Sequence, residues 1–180
     1  MKRIVLLVAL FSFFIQLDLF SDTYMTLGGG TGGDAGGNNF SFDFGGFTED
    51  DETNALMAVG LTYISGVDEL PDGTLGDMLT SGFTLIGDRQ KDKEIGLYGK
   101  LGAETIEKLF IFATAGFSFV ETAEIARSNT TGLYHEQTSD TNIEGLFGAG
   151  LICFLKDKNF GFQLEYDNRR GVTGSLAFRF

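Results

Sequence analysis

The single histidine, His135, and the serines on either side of it, Ser128 and Ser139, are the residues that could form a nucleophile and its base. Such catalysis requires the two side chains to lie within hydrogen-bond reach of each other. The segment that holds them, residues 121–141, is polar, and no other nucleophile–base arrangement stands out in the sequence. We therefore expect His135 to be a solvent-exposed loop residue and the protein to have no enzymatic activity.

Two other segments contain residue types that ion or nucleotide sites use. Residues 29–34 match the start of a calcium-binding nonapeptide, but that motif requires stacked repeats, and glycine stands here at its aliphatic position. A dinucleotide fingerprint requires a following helix, which the sequence does not predict. Four consecutive carboxylates within residues 48–53 are more typical of a solvated turn than of a Ca²⁺ site. The sequence thus predicts neither a metal nor a cofactor.

The last ten residues alternate strictly between two kinds of side chain. Val172, Leu176, Phe178 and Phe180 share one parity, whereas the other holds threonine, serine, alanine and Arg179. This period of two predicts a strand with one apolar and one polar or small face. A terminal strand of this kind, ending on an aromatic residue, suits a barrel whose outer face meets lipid.

Seven further segments alternate in the same way, so we predict eight antiparallel strands. They cover residues 23–32, 40–44, 54–65, 94–102, 109–120, 142–155, 159–166 and 171–180. Residues 80–87 could form an additional strand, but an even strand count with both termini on one side favours eight. We interpret 80–87 as a strand-like extension within a loop. The connections 66–92 and 121–141 are long and polar, and outer-membrane barrels place such loops outside the cell.

The alternation also predicts which charged side chains face the interior. Lys100 has inward parity, and a barrel of eight strands is filled by side chains. An unpaired buried ammonium is costly, so Lys100 requires carboxylate partners. Asp43, Glu144, Glu165 and Arg179 share its inward parity, and Asp43 and Glu165 lie nearest to Lys100 in height. These five residues form the predicted interior polar network. We expect it to fill and specify the interior, with gating of a small ion path as the alternative.

The amino terminus has the pattern of a secretory signal peptide. Lys2 and Arg3 precede an apolar run over residues 4–15 that is too short to span a bilayer. We expect cleavage after Ser21, which leaves one domain, residues 22–180; retention of the segment as a membrane anchor is the alternative. The net charge of -12 argues against nucleic-acid binding. Cys153 is the only cysteine, so the chain has no internal disulfide.

With these features, residues 22–180 resemble the OmpA/OmpX-type family of small eight-stranded outer-membrane barrels. The resemblance implies a transmembrane, all-β, antiparallel up-and-down barrel in a Gram-negative-type outer membrane. It also implies an interior ionic network and a terminal strand that the barrel-insertion machinery reads through Val172, Leu176, Phe178 and Phe180. A few small outer-membrane barrels are lipid A-modifying enzymes, and some of them use a His–Ser pair on the lipid-facing surface, whereas His135 and its serines lie in a polar segment.

We therefore expect a monomer in contact with outer-membrane lipid, with a structural or surface-interaction role carried by the loops 66–92 and 121–141. These loops would bind an extracellular partner that the sequence does not identify. The first alternative is a carrier of a small hydrophobic ligand, or a narrow gated pore. The second is a lipid A-modifying enzyme.

Overall fold

The computed structural model describes residues 22–48, 54–65, 70–76, 82–155 and 159–180. They form eight antiparallel strands that close into a barrel in chain order, with β1 also pairing with β8. This confirms the predicted all-β up-and-down barrel. The strands are β1 (Asp22–Thr31), β2 (Asn38–Thr48), β3 (Ala55–Ser65), β4 (Phe83–Ile106), β5 (Leu109–Ser128), β6 (Tyr134–Phe154), β7 (Phe160–Asp167) and β8 (Gly171–Arg179). The predicted signal peptide and the carboxylates of the 48–53 segment lie outside the described residues.

The two ends of the barrel differ. The lower end holds the start of β1, the end of β8 and the β4–β5 turn, where Lys108 adopts a positive φ of 65°. The upper end holds the turns that join β1 to β2, β5 to β6 and β7 to β8. No helix in the described part of the chain is long and apolar enough to cross a membrane.

Side chains alternate between the interior and the outer surface along each strand. On β8, for example, Thr173 and Ala177 are fully buried, whereas Val172 and Leu176 are about half exposed. Large apolar side chains are exposed on the outer face of every strand, among them Leu27, Phe40, Met57, Ile95, Leu101, Ile111, Phe147, Leu151, Phe162, Leu164 and Phe178. Because a soluble barrel would present polar side chains at such positions, this apolar belt is the pattern of a lipid-facing wall.

The lower half of the interior is an apolar core rather than a polar one. Tyr24 stacks on Phe47 with ring centroids 5.0 Å apart, and Phe110 and Phe154 contact the other sides of Phe47 at 4.6 and 5.4 Å. Leu56 and Ile152 complete the packing with neighbouring small residues. These rings fill the cross-section, because an eight-stranded barrel has room for side chains alone. The buried charged side chains lie above this layer.

Three strands continue above the rest of the barrel wall. Among the described residues, β3 pairs with β4 up to Ser65, opposite Lys93, and β7 pairs with β6 only from Gly148 downward. Residues 83–92 of β4, 120–128 of β5 and 134–147 of β6 therefore rise beyond the described parts of their other neighbours. We call this three-stranded region the protruding sheet.

The protruding sheet corrects the predicted loop boundaries. Residues 121–128 and 134–141 belong to β5 and β6, so the predicted loop 121–141 is a long hairpin whose turn comprises only residues 129–133. Residues 83–92, predicted within the loop 66–92, belong to β4. The segment 80–87 is thus the start of β4 from Phe83 onward, while 77–81 lie outside the described residues. Strand pairing continues here because three neighbouring strands satisfy one another's backbone groups without a membrane.

Candidate functional site

Lys100 is the centre of a buried ion cluster in the upper half of the barrel. Its ammonium Nζ lies 2.5 Å from Asp43 Oδ2 and 2.7 Å from Glu165 Oε2. All three side chains are at most 1% exposed. Their charges are therefore screened little by solvent, and each depends on the others for compensation. The structure thus brings together the three residues that parity and height had associated.

The carboxylates of the cluster accept further hydrogen bonds from neutral side chains. Asp43 accepts from the Tyr98 hydroxyl at 2.6 Å, from Thr26 Oγ1 at 2.7 Å and from Gln163 Nε2 at 3.1 Å. Glu165 accepts from Thr114 Oγ1 at 2.5 Å. Such donors stabilise the ionised form of a buried carboxylate, so they hold the charges in place in the absence of water.

Arg170 is a member of the cluster that sequence reasoning missed. It belongs to the β7–β8 turn, yet its side chain is fully buried and points down into the barrel. Its guanidinium donates to Glu165 Oε1 at 2.5 Å, to Asp167 and to Ser41 Oγ at 3.1 Å. It also stacks over the Tyr98 ring, 4.2 Å from the centroid. Residues 167–170 form the tight connection between two predicted strands, and no local pattern in them distinguishes an arginine that folds inward.

A second arginine closes the upper mouth. Arg169 donates from Nε to Glu94 Oε1 at 2.9 Å and from Nη2 to Glu94 Oε2 at 2.6 Å. Its hydrogen bonds to Glu94 raise the pKa of the Arg169 guanidinium above its ordinary value, so the guanidinium stays charged at physiological pH. Glu94 lies within the predicted strand 94–102 and has the inward parity of Lys100, so parity alone could have identified it.

Glu144 and Arg179 do not join the cluster, although both have inward parity. Glu144 is exposed because the neighbouring strand β7 ends below it, so no wall encloses that height. Arg179 lies at the lower end, where it pairs with Asp22 and covers the Phe47 ring at 5.4 Å. The aromatic layer separates Arg179 from Lys100. Parity selects a face of a strand, whereas membership of a cluster also requires matching height.

A substitution at Gly60 tests how closely the side chains of the ion cluster are packed. A Cβ at this position would overlap both the Tyr98 ring and the Asp43 carboxylate. We expect Gly60→Ala to lower the free energy of unfolding by about 1–3 kcal/mol, as overpacking of a filled interior does. Gly174→Ala is the matched control, because a Cβ there would meet nothing within 4 Å. Equal stability of the two variants in urea titrations would contradict a tightly packed cluster.

The prediction that His135 is a solvent-exposed loop residue is wrong. His135 is the second residue of β6 and only 2% exposed, with the Phe83 ring packed edge-on at 5.2 Å. The hydroxyl of Ser139 accepts a hydrogen bond from Lys91 Nζ at 3.2 Å, and Ser128 Oγ accepts from backbone N–H groups of the 129–131 turn. Neither serine hydrogen-bonds to His135 within the described residues.

The outer edge of β6 in the protruding sheet is paired at its two ends. Near the top, the Leu75 N–H donates to the Tyr134 carbonyl at 2.9 Å, and the Leu75 carbonyl accepts from Glu136 N–H at 3.0 Å. Near the barrel mouth, Asn168 bonds to the backbone of Gly145 and Phe147. The backbone groups of β6 that make these contacts therefore point away from β5.

Between these contacts the edge of β6 is open. A bulge opposite Glu124 and Ile125 shifts the alternation, so that Ser139, Thr141 and Ile143 turn their N–H and C=O groups outward. These groups have no hydrogen-bond partner in the part of the chain that the structure describes. We call these three residues the open edge. An exposed row of backbone donors and acceptors is a template for another strand.

The terminal apolar side chains and the glycine-rich segment 29–34 both belong to the barrel wall or its turns. Val172, Leu176, Phe178 and Phe180 all lie on the outer face, between 38% and 58% exposed; their role as an insertion signal stays a prediction. The calcium-like segment 29–34 is the end of β1 and the start of its turn, and a Cβ at Gly30 would overlap the backbone of β8. No group of three potential metal-ligating side chains occurs among the described residues.

No protein-family model and no curated protein matches the sequence. Solved structures do match. The backbone structure of the Yersinia pestis outer membrane protein Ail in a phospholipid bilayer nanodisc has a TM-score of 0.50, with 11% identity over 88% of this chain and 99% of that one. A crystal structure of Yersinia pestis Ail has a TM-score of 0.48, with 12% identity over 88% of this chain and 97% of that one. The crystal structure of Ail in complex with the heparin analogue sucrose octasulfate has a TM-score of 0.42, with 12% identity over 88% of this chain and 94% of that one.

This chain has the fold of the small eight-stranded outer-membrane β-barrels. The resemblance to OmpA/OmpX-type barrels inferred from the sequence is thereby confirmed, because Ail is a barrel of the OmpX/Ail family. Because this chain and Ail are only 11% identical in sequence, the similarity between them is one of strand arrangement.

Proposed function

We propose that this outer-membrane-type barrel sits in the outer membrane after removal of its signal peptide and acts there as a surface-interaction protein. The apolar belt on the outer face supports the location, because it needs hydrocarbon rather than water around it. The upper end, with the protruding sheet, then faces the exterior, and both described termini face the periplasm. We expect a monomer that the barrel-insertion machinery delivers through the terminal strand.

The location predicts a heat-dependent gel shift. The unboiled protein should fractionate with outer membranes and migrate differently from the boiled form, because a closed barrel resists detergent until it is heated. Removing Phe180 should reduce insertion while leaving export intact. Recovery of the parent protein in the soluble periplasmic fraction, without such a shift, would contradict the proposed location.

The open edge of β6 is the observation that carries the proposed interaction. Proteins usually blunt an exposed edge, since unpaired backbone groups recruit other strands. Here the outward N–H and C=O groups of Ser139, Thr141 and Ile143 have no partner among the described residues, on a sheet that rises above the barrel wall. Leu75 already pairs with this edge from the chain's own loop, in parallel orientation, next to His135. We infer that a partner adds an extended segment to β6, a known mode of peptide recognition.

The interior supports this assignment over the alternatives. A carrier requires an apolar cavity and a pore requires a continuous path, whereas the Phe47 layer and the Lys100 cluster fill the described interior at two heights. A lipid A-modifying enzyme requires a histidine beside a free hydroxyl, whereas Ser128 and Ser139 are engaged elsewhere. No observation favours one of these alternatives.

Thr141→Pro tests strand addition. Proline removes the outward N–H, and it is tolerated at an edge whose N–H does not serve the ladder. Extended nine-residue peptides selected from a library for binding to the protein in nanodiscs should lose at least about fivefold in affinity, as expected for a lost hydrogen bond. Thr141→Val, which keeps the N–H, is the control and should bind like the parent. Selected peptides that bind Thr141→Pro unchanged would refute strand addition.

A further inference from the structure

The two faces of the protruding sheet differ in charge: one carries carboxylates, and the other carries both cations and carboxylates. The register places Asp88, Glu124 and Thr138 side by side on one face, and Gln90, Thr122 and Asp140 on the next row of the same face. Glu144, opposite Ser118, continues this face toward the barrel mouth. We call Asp88, Glu124, Asp140 and Glu144 the acidic face. It is the continuation of the barrel's inner surface, since Ser118 is fully buried inside the wall.

The opposite face carries the cations, together with the carboxylates of Glu121 and Glu136. Arg89 pairs in register with Ala123 and Ser139, and Arg127 packs over the Tyr134 ring at 5.9 Å. Lys91 lies on this side too, with its Nζ 2.5 Å from Glu136 Oε1. No residue of the acidic face forms an ion pair within the described residues. Arg169 acts on Glu144 electrostatically at longer range. The carboxylates of the acidic face lack a cation at ion-pair distance in the described part of the chain, which leaves them available to a partner.

The open edge places part of the acidic face next to any added strand. Asp140 and Glu144 alternate with the open-edge residues along β6, and both are exposed. On the other face of the same strand lie Thr141 and Ile143, the latter 67% exposed. Side chains of an added strand would pair directly with these residues, because opposite positions on one face are neighbours in a sheet.

We propose that the partner of the open edge is an extended polypeptide segment that is basic on one face and apolar on the other. Lysine or arginine four residues apart pairs with Asp140 and Glu144, and the intervening residues of opposite parity cover Thr141 and Ile143. Asp88 and Glu124, further back on the acidic face, add a field of the same sign that attracts such a segment. The inference rests on the proposed function and specifies its partner.

Two nine-residue peptides test the charge preference in nanodiscs that hold the protein. One has the alternating sequence Thr-Val-Lys-Ile-Thr-Val-Lys-Ile-Thr, and the other has glutamate in place of both lysines. The lysine peptide should bind at least about tenfold more tightly at low salt, because two opposite-charge pairs replace two like-charge pairs. This advantage should shrink as salt is added, since exposed charges are screened.

Variants of the protein identify the carboxylates. D140N/E144Q should remove most of the preference for the lysine peptide, and D140K/E144K should reverse it. E107Q/E121Q is the matched control: it changes the net charge by the same amount at exposed positions away from the acidic face. The control should retain the parent's preference.

The possible results separate this inference from the proposed function. If both peptides bind equally and both are lost in Thr141→Pro, strand addition stands and the basic partner is refuted. A lysine preference that E107Q/E121Q weakens as much as D140N/E144Q would also refute it, since net charge alone would then decide. If neither peptide binds, or if Thr141→Pro binds both like the parent, strand addition itself fails.

Discussion

Lys100→Met is expected to lower the free energy of unfolding by about 3–5 kcal/mol. Methionine keeps the volume of the side chain but leaves Asp43 and Glu165 without the ammonium that lies within 2.7 Å of both. Two like charges would then remain in a dry site, with only Arg170 to compensate Glu165. Because the chain has no tryptophan, circular dichroism and the gel shift in urea are the suitable measurements.

A second change in the same cluster distinguishes charge from packing. Asp43→Asn in the Lys100→Met background should recover part of the lost stability, since it removes one of the uncompensated charges. Lys93→Met, at an exposed position on the same strand, is the control and should change stability by less than about 0.5 kcal/mol. Strict additivity of the Lys100 and Asp43 effects would show that the two residues are not coupled.

Phe47→Ala is expected to cost about 3–5 kcal/mol, as removal of a large buried side chain does. Phe47 is 3% exposed and contacts the rings of Tyr24, Phe110 and Phe154. Its loss leaves a cavity across the lower half of the barrel, where the strands cannot collapse without breaking their ladder. Urea titration of the protein in lipid vesicles measures the effect.

Phe47→Ala also tests whether side chains fill the interior of the barrel. If the aromatic layer closes the barrel, Phe47→Ala vesicles should leak small ions faster than vesicles with the parent protein. Phe40→Ala is the control, because Phe40 is 57% exposed on the outer face and borders no interior space. A parent protein that already conducts as well as Phe47→Ala would favour the narrow-pore alternative.

The wall of the barrel followed from the sequence because parity is a local property. Whether a side chain in a strand faces in or out depends only on its position in an alternating run, so the eight strands and the inward face of Lys100 could be predicted. Residues 171–180 illustrate this, since the large apolar side chains lie outside and the small Ala177 lies inside. Counting from the turns also gave relative heights, which associated Lys100 with Asp43 and Glu165.

The lengths of β5 and β6 could not be predicted in this way. Above the apolar belt no lipid surrounds the strands, and residues 121–128 and 134–141 lack the alternation that marks a lipid-facing strand. Pairing with β4 and β6 keeps β5 extended, pairing with β5 keeps β6 extended, and that pairing is a tertiary property. For the same reason the sequence predicted His135 to be an exposed loop residue, although the Phe83 ring and the segment at Gly76 lie against it.

The sequence by itself determined the alternating faces, the number of strands and the inward orientation of Lys100, Asp43 and Glu165. The tertiary structure decided which charged side chains meet inside the barrel. Arg170 enters the cluster because the β7–β8 turn folds its side chain over the barrel mouth, and Glu144 stays outside because β7 ends below it. Both outcomes depend on the relative heights of neighbouring strands, and the closure of the whole barrel sets those heights.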